Sequence, residues 1–373
     1  MSTERATGRR DRFVAALRRD GVVVDDAVAR AFAAVPREAF VAEGFRAMDG
    51  RWVTARDDDF LDEVYRNDAL VTKVRDGVPV SSSSQPSLMA IMLEALDIAP
   101  GARVLEIGVG TGYNAALMSA LGAEVVSVDV QPDVVERAVA ALAATATPRV
   151  TPITADGYAG YPAGGPYDRV IVTVGVSGVS PAWLDQLAPG GFALAPTYHA
   201  GAHPVLRVWR DPGGGVTGRG VSGAGFMSAA GPLSADHPWR HPPPLRGALP
   251  PPSTHRPARW RPPLDPQRYH DLTVAAGAWD RRVTHGAVDG VPGADWVLLD
   301  PAGRGGAGVR ADGAVVGSGR RAREYADAAV ILLERWERAG SPAIEDWSVR
   351  FDRAGDQGQP IWVPRDWHLP SLS

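Results

Sequence analysis

The sequence has 373 residues, of which 45% are hydrophobic and 22% are charged, and its formal net charge is -4 at pH 7. This length predicts two domains, and the absence of a basic block argues against a nucleic acid partner. The absence of cysteine excludes disulfides, thiolate metal sites and a cysteine nucleophile. No apolar run reaches the ~20 residues that a membrane helix needs, and Met1 to Asp20 lacks the apolar core of a signal peptide. We therefore expect a cytoplasmic protein without a membrane partner.

The N-terminal part of the chain is predicted to be helical. Apolar residues recur at helical spacing between Phe13 and Val35, and Pro36 ends the second helix. The segment from Asp57 to Lys73 shows no clear pattern. A run of four serines, Ser81 to Ser84, then precedes Gln85-Pro86, and a proline suits the first turn of the helix that follows.

Strands and helices alternate from Ala102 onward, which predicts an α/β fold with a mainly parallel sheet covered by helices. The predicted strands are Arg103 to Ile107, Val125 to Val130, Val150 to Thr154, Arg169 to Val174 and Phe192 to Ala195. The predicted helices between them are Tyr113 to Leu121, Val134 to Ala144 and a shorter piece that starts at Leu184.

The composition changes after about Val208, where Gly and Pro become frequent. Residues 212–266 are predicted to be a Pro/Gly-rich connection, and residues 267–373 to form a smaller C-terminal α+β domain. Within that domain, Leu272 to Ala275 is a candidate strand and Ala322 to Arg338 an amphipathic helix. The predicted division of the chain is an N-terminal helical segment (residues 1–80), the α/β core (81–211), the connection (212–266) and the C-terminal domain (267–373).

A glycine-rich segment follows the first strand of the predicted core. Glu106 stands near the end of that strand, and Gly108, Gly110 and Gly112 alternate before a helix. Glycines allow a bulky cofactor to approach the backbone closely. The G-x-G-x-G spacing differs from the G-x-G-x-x-G of dinucleotide sites, and no Lys-Ser/Thr pair follows as in a phosphate loop. The segment predicts a cofactor site with Glu106 beside the cofactor's polar edge, and a glycine turn without a ligand is the alternative.

Acidic residues end the next two strands. Asp129 is placed to bind two ribose hydroxyls, although it could instead cap the helix that begins near Pro132. Asp156 and Gly157 could read an adenine edge through a carboxylate and a backbone N–H, and an ordinary Asp-Gly turn is the alternative. A fourth strand ends near Thr173, and ligands bind at the carboxyl ends of such strands.

These segments together resemble a SAM-dependent methyltransferase with a Rossmann-like sheet, and in detail they are similar to the protein-L-isoaspartate O-methyltransferases. The resemblance covers roughly residues 25–210 and lies in Val35 to Val41, Ser84-Gln85-Pro86, Leu105 to Ala116 and Tyr167 to Thr173. It implies SAM (S-adenosyl-L-methionine) as cofactor, S-adenosyl-L-homocysteine as product, a SAM-binding core in residues 81–211 and a substrate-binding role for residues 1–80. The cofactor-binding residues assigned in this way are Ser83, Gln85, Glu106, Gly108, Gly110, Gly112, Asp129, Val130, Asp156, Gly157 and Thr173.

The resemblance also places Ser84 at the reacting centre. Its hydroxyl would donate to one oxygen of the substrate carboxylate and leave the other oxygen free to attack the methyl group. A flexible, helix-capping serine stretch is the alternative interpretation. A carboxylate, with an unperturbed pKa of ~4, is already ionised at neutral pH, so no strong general base is needed.

The sequence resembles a divergent branch of this family that is associated with ribosomally made, post-translationally modified peptides of the lanthipeptide and graspetide type. The features that carry this resemblance are the long C-terminal segment, the serine run and the segment Val64 to Lys73. Members of that branch methylate an ordinary aspartate of a cyclised precursor peptide, and the ester collapses to an aspartimide that hydrolyses to isoaspartate. The leading hypothesis is therefore a carboxyl O-methyltransferase with a precursor peptide as its partner. The alternatives are general repair of isoaspartyl proteins and, from another class, a SAM-binding scaffold or regulatory protein. The sequence does not identify the client or the oligomeric state.

The histidines give no clear site. His199 and His203, and likewise His237 and His241, have i,i+4 spacing, but they lie in loop-like sequence and no third ligand is apparent. We predict no metal site. The tryptophans of the C-terminal third are expected to be mostly core residues, with a minority that could line a peptide groove.

Overall fold

The computed structural model describes residues 3–370, and the chain forms two compact units. The first unit comprises the chain up to Val174 together with Ser180–Leu194, and the second comprises Gly175–Val179 and the chain from Ala195 onward. The boundary thus lies before the predicted one at residue 211. The two units are nearly equal in size, so the prediction of a smaller C-terminal domain is wrong.

The first unit contains seven helices and nine strands among the described residues. The helices are α1 (Thr3–Arg19), α2 (Asp26–Ala34), α3 (Phe60–Val64), α4 (Pro86–Leu96), α5 (Tyr113–Ala120), α6 (Pro132–Ala144) and α7 (Pro181–Asp185). The strands are β1 (Phe45–Arg46), β2 (Trp52–Val53), β3 (Leu70–Arg75), β4 (Val78–Ser83), β5 (Arg103–Ile107), β6 (Glu124–Asp129), β7 (Val150–Thr154), β8 (Tyr167–Val172) and β9 (Leu187–Pro196), of which β9 ends in the second unit.

The core of the first unit is a parallel sheet with the strand order β9-β8-β5-β6-β7. Val104 of β5 pairs with Val125 on one side and with Arg169 on the other. The chain therefore runs from β5 outward to β7 and then returns to the opposite side of β5. This reversal is a topological switch point, where ligands bind outside the carboxyl ends of the strands. The predicted α/β core with parallel strands is confirmed, but the nine-stranded sheet to which these strands belong is mixed and not mainly parallel.

The first three residues of the serine run, Ser81 to Ser83, lie in strand β4, and Ser84 follows the strand. Strands β3 and β4 are an antiparallel hairpin in which Leu70 pairs with Ser83 and Arg75 with Val78. Its turn residues, Asp76 and Gly77, have φ of 51° and 77°, and Asp-Gly is a preferred pair in two-residue hairpin turns. The hairpin belongs to a small sheet with the order β2-β1-β3-β4, so the predicted helical segment 1–80 is only partly helical.

The second unit combines mainly antiparallel strands with two long helices. Its helices are α8 (Pro266–Trp279) and α9 (Ala322–Arg338). Its strands are β10 (Val205–Arg210), β11 (Val216–Ser222), β12 (Ala248–Leu249), β13 (Pro252–Arg256), β14 (Val283–His285), β15 (Ala287–Val288), β16 (Trp296–Leu299), β17 (Gly306–Val309), β18 (Val315–Ser318), β19 (Ser348–Gly355) and β20 (Pro360–His368). Its one two-stranded sheet among the described residues, β12-β15, is parallel.

Two predictions for this region are corrected. Residues 212–266 are not a connection between domains, because they contain β11, β12 and β13, and β11 pairs with β10 and β19. Leu272 to Ala275 lies in α8 and is not a strand. The start signal of this helix is Asp265, whose side chain accepts a hydrogen bond from the Arg268 backbone N–H, followed by a proline in the first turn.

The five-stranded sheet of the second unit, with the order β13-β18-β17-β16-β14, packs with α8 and α9 around one apolar core. Trp296, Trp336 and Trp347 are almost completely buried there, so these tryptophans are core residues as expected. Among residues 3–370, no helix is both long enough and apolar enough to cross a membrane.

Candidate active site

The candidate site forms where four predicted segments meet at the carboxyl ends of the parallel strands. The backbone N–H of Gly108 donates to the Val128 carbonyl at 2.8 Å, and the N–H of Thr173 donates to the Ile107 carbonyl at 3.0 Å. The N–H of Ala155 donates to the Asp129 carbonyl at 3.0 Å. The loops after β5, β6, β7 and β8 are thus adjacent.

All three glycines of the loop after β5 have positive φ, with values of 99°, 51° and 82° for Gly108, Gly110 and Gly112. A Cβ on Gly108 would lie 2.6 Å from Thr173 Oγ1, and a Cβ on Gly110 would lie 3.1 Å from the Ser82 carbonyl oxygen. The glycines are therefore required by backbone conformation and by the neighbouring protein. The contact with Ser82 also shows that the serine hairpin lies directly beside the glycine loop.

Thr173 supports the glycine loop. Its hydroxyl lies 2.7 Å from the carbonyl oxygen of Gly108 and 3.0 Å from that of Ile107. The side chain of this predicted cofactor ligand is thus engaged with the loop and orients it.

Glu106 lies in β5 and is completely buried. Its carboxylate accepts hydrogen bonds from Asn114 Nδ2 at 2.7 Å and from Ser127 Oγ at 2.5 Å. Burial raises the pKa of Glu106 to about 7, against the lowering effect of these two donors. Glu106 braces the start of α5 against β6.

Asp129 lies at the end of β6 in the position expected for a ribose ligand. Its carboxylate accepts the backbone N–H of Gln131 at 3.0 Å and that of Gly110 at 3.4 Å. Burial raises the pKa of Asp129. The neighbouring Val130 is 64% exposed, which leaves an apolar side chain for a ligand's flat apolar group.

Asp156 and Gly157 follow β7 and are also at this edge. Asp156 is exposed and accepts the backbone N–H of Tyr158 at 3.0 Å, which is the turn-forming bond that the sequence left as an alternative. Gly157 packs against β5, because a Cβ there would lie 2.8 Å from Ile107 Cγ2. Its carbonyl accepts the indole N–H of Trp183 at 2.7 Å.

Ser84 lies between β4 and α4, and its backbone is held by Arg37. The Arg37 Nη2 atom donates to the Ser84 carbonyl oxygen at 3.0 Å and to that of Asp68 at 3.0 Å, while Nη1 donates to the Val64 carbonyl at 2.8 Å. Arg37 is fully buried, and burial lowers its pKa to about 10. A guanidinium is charged even at that pKa, so the cage of carbonyl oxygens holds a permanent cation.

The side chains of the two residues beside Ser84 form hydrogen bonds within the protein. Ser83 is 2% exposed, and its hydroxyl accepts from Arg37 Nε at 3.4 Å. Gln85 is exposed and donates to the Asn67 carbonyl at 3.1 Å, while the Asn67 side chain accepts the N–H of Ser87 at 2.9 Å. Both residues are occupied with the loop that carries Ser84.

The sequence patterns did not indicate that Arg37 and Lys73 hold the loops of the candidate site. Arg37 is inside one of the phrases that carry the family resemblance, so its position could have been singled out. Lys73, the lysine of the β3 strand, donates from Nζ to Gln131 Oε1 at 2.9 Å and to Asp133 Oδ1 at 2.7 Å. Gln131 in turn donates to the Val80 carbonyl at 3.0 Å. The serine hairpin is thereby joined to the turn that carries Asp129, a contact between residues distant in the chain.

The sequence model of the family described as protein-L-isoaspartate(D-aspartate) O-methyltransferase matches residues 8–231. The chain belongs to this family. Its members are SAM-dependent protein carboxyl O-methyltransferases, so the chain is an enzyme of that class and its cofactor is SAM.

Individual relatives agree with the family match. The protein-L-isoaspartate O-methyltransferase of Pyrococcus horikoshii is 32% identical over 235 residues, which cover 61% of this chain and 94% of the relative. That of Thermotoga maritima is 40% identical over 176 residues, and the matched part spans about half of that relative, 51% of its length. A solved structure of a protein-L-isoaspartate O-methyltransferase is 26% identical with a TM-score of 0.53, and covers 95% of this chain and 98% of its own.

Within this family member, the residues at the sheet edge fit SAM. The glycine loop offers backbone without side chains, Asp129 is a carboxylate at the end of β6, and Val130 is an exposed apolar residue beside it. Among the described residues, no group of three or more His, Asp or Glu side chains is placed to hold a metal ion.

Proposed function

We propose that this enzyme methylates the free carboxylate of L-isoaspartyl residues in proteins, and thus acts in general repair. The observation that carries the proposal is the match to a solved isoaspartate methyltransferase over 95% of this chain. A match of that extent is not confined to the SAM-binding core, so the additional C-terminal part does not require a dedicated client. This favours general repair over the leading hypothesis of a modified precursor peptide.

The proposed cofactor contacts are divided between direct and supporting residues. Gly108, Gly110 and Gly112 provide the backbone surface, Asp129 accepts hydrogen bonds from ribose hydroxyls, and Val130 packs against the adenine ring. Asp156 and Gly157 read the adenine edge. Ser83, Gln85, Glu106 and Thr173 act through the loops that they hold.

The proposed catalytic residue is Ser84. SAM supplies an electrophilic methyl group when bound. The substrate carboxylate is ionised at neutral pH, so the protein mainly positions one of its oxygens for in-line attack. The Ser84 hydroxyl donates to the other oxygen, and Arg37 keeps the Ser84 backbone in place.

The methyl ester then reacts without a further enzyme group. The backbone nitrogen of the next residue attacks the ester carbonyl and loses its proton, and methanol leaves. The product is a five-membered succinimide, which hydrolysis opens to aspartate or isoaspartate.

The test compares synthetic peptides of one sequence that carry L-isoaspartate, L-aspartate or D-aspartate at a single position. Mass spectrometry after incubation with the enzyme and SAM should detect one added methyl group on the isoaspartyl peptide, followed by loss of methanol. A cyclised precursor peptide with ordinary aspartate is the competing substrate. Faster methylation of that peptide than of the isoaspartyl peptide would contradict the proposal and support a peptide-modifying enzyme.

A further inference from the structure

A cavity lies entirely within the second unit, and the reaction proposed above does not use it. Its volume is about 430 Å³, which is in the range of ~300–1,000 Å³ found for ligand-binding pockets. The side chains that determine its chemistry are those of Tyr198, His203, Phe226, Arg240, His270 and His285. No acidic residue is among the lining residues.

Three imidazole rings stand in the wall of this cavity. The ring centroids of His270 and His285 are 6.2 Å apart, and His203 packs edge to face on the Tyr198 ring at 5.4 Å. The buried Nε2 atoms of His270 and His285 have no hydrogen-bond partner among the described residues. A buried polar atom without a partner is costly and uncommon in folded proteins. These two nitrogens are therefore available to a ligand.

Arg240 adds a positive charge to the same wall. Its guanidinium carbon lies 4.9 Å from the centroid of the Tyr198 ring, and Nη1 donates to the Ser234 carbonyl at 3.1 Å. A guanidinium carries five N–H donors, so most of them remain for a ligand.

Two glycines allow the backbone to lie directly against the histidine rings. A Cβ on Gly223 would lie 2.5 Å from His270 Cδ2, and a Cβ on Gly201 would collide with the backbone nitrogen of His285. The rings are thus held by close packing. Such fixed donors recognise a ligand with little loss of side-chain entropy on binding.

We propose that this cavity binds a carboxylate-bearing ligand, whose anionic group contacts Arg240 and the imidazoles of His270 and His285. The guanidinium is suited to carboxylates because its parallel N–H groups match the two oxygens. Phe226 and the face of Tyr198 supply apolar surface for the remainder of the ligand. The carboxylate belongs either to a free small dicarboxylate or to an acidic residue of a polypeptide, and the experiment separates these two sources.

Binding should be coupled to proton uptake. Burial lowers the pKa of His203 and of His270 to about 4, and it also lowers the pKa of His285. The charged groups that face these rings are Arg240 beside His203 and Asp295 beside His285, while His270 faces His285. A bound carboxylate favours the protonated imidazole, so affinity should rise as the pH is lowered from 7 toward 5.

The experiment is isothermal titration calorimetry of the full chain with succinate, with S-adenosyl-L-homocysteine present to occupy the cofactor site. We expect saturable binding that becomes at least tenfold weaker in Arg240→Met. The matched control is Arg281→Met, because Arg281 is an exposed arginine that also donates from Nη1 to a backbone carbonyl, that of Pro238 at 2.9 Å. Titrations in buffers with different ionisation enthalpies should measure uptake of protons.

A second measurement does not depend on the stability of the arginine variant. In protein labelled with 15N-histidine, the ring signals of His270 and His285, assigned with His270→Gln and His285→Gln, should shift on addition of succinate. The same titration with an acetylated aspartyl peptide identifies the source, since binding of succinate alone indicates a free dicarboxylate and binding of the peptide indicates a polypeptide. The proposal is overturned if neither probe binds saturably, or if Arg240→Met and Arg281→Met bind equally well.

Discussion

The position of Ser84 depends on a residue 47 positions earlier in the chain. Arg37 is fully buried and donates to the carbonyl oxygens of Ser84, Asp68 and Val64. A long planar cation can bridge several loop carbonyls at once. The backbone of Ser84, the proposed catalytic residue, is therefore held by a side chain distant in the sequence.

We expect Ser84→Ala to lower kcat for an isoaspartyl peptide roughly ten- to a hundredfold, because a hydrogen bond to a charged group contributes about 1.5–3 kcal/mol. The KM for SAM should change little. Steady-state kinetics with the isoaspartyl peptide measure both values. Ser253→Ala, in the exposed serine of β13, is the control that should retain activity. Unchanged turnover in Ser84→Ala would remove Ser84 from the mechanism.

Arg37→Met should reduce the free energy of unfolding by at least about 3 kcal/mol, because it leaves several buried carbonyl oxygens without a donor. Urea unfolding measures this change. Arg37→Lys keeps the charge but has fewer donors, so its stability and kcat should lie between those of wild type and Arg37→Met. Equal stability of Arg37→Met and the exposed-site control Arg12→Met would contradict the role of the carbonyl cage.

At the scale of elements, the serine hairpin and the turn after β6 are joined by Lys73. This lysine bonds to Gln131 and Asp133, and Gln131 bonds back to Val80 of the hairpin. Asp129, the proposed ribose ligand, accepts the backbone N–H of the same Gln131. The hairpin that leads to Ser84 is thus coupled to the cofactor side of the site.

Lys73→Met should raise the KM for SAM by a factor of about five or less, because an ion pair with a half-exposed carboxylate contributes only about 1 kcal/mol. The effect should shrink at high salt, since salt screens exposed charges. Measurement of KM at two ionic strengths tests both statements, and Lys73→Arg should stay close to wild type. A salt-independent loss of kcat alone would point to a role other than this coupling.

At the scale of the whole molecule, the second unit contains histidines that must be neutral in the folded state. Burial lowers the pKa of His203, His237, His241 and His270 to about 4, against an unfolded value of ~6.5. The unfolded chain therefore binds more protons between these values. Their contribution to stability is fully present above pH 6.5 and decreases as the pH falls toward 4. Glu106 opposes this trend, because its pKa in the folded state is raised to about 7, above the pKa in the unfolded chain. Its contribution to stability is therefore fully present at low pH and is lost as the pH rises through 7.

We expect the Tm of the full chain to fall between pH 7.5 and pH 5, because the buried histidines with a lowered pKa outnumber the buried carboxyl groups with a raised pKa. Differential scanning calorimetry measures the Tm. His270→Gln should make the decrease less steep, and His255→Gln, at an exposed position of β13, is the matched control. A Tm that is constant over this interval, or that rises at pH 5, would show that these histidines do not need to be neutral in the fold.

The sequence by itself determined the α/β core, the glycine loop that we propose binds the cofactor, and the family, because these depend on local patterns. Alternating apolar strands and helices, the glycines at positions 108, 110 and 112, and the acids that follow the strands are each readable within short segments. The Asp76-Gly77 turn was also readable and would have predicted the serine hairpin.

Only the tertiary structure decided which side chains face the site and how the C-terminal half is built. Glu106 and Ser83 are near the site in sequence, but pleating and packing turn their side chains inward, toward Ser127 and toward Arg37. Residues 212–266 resemble a linker in composition, but they contain β11, which pairs with β19 in a sheet. Because β19 lies more than a hundred residues later in the chain, no local pattern predicts this pairing. The cluster of His203, Arg240, His270 and His285 likewise forms only on folding, since no short-range pattern records a contact between residues far apart in the chain.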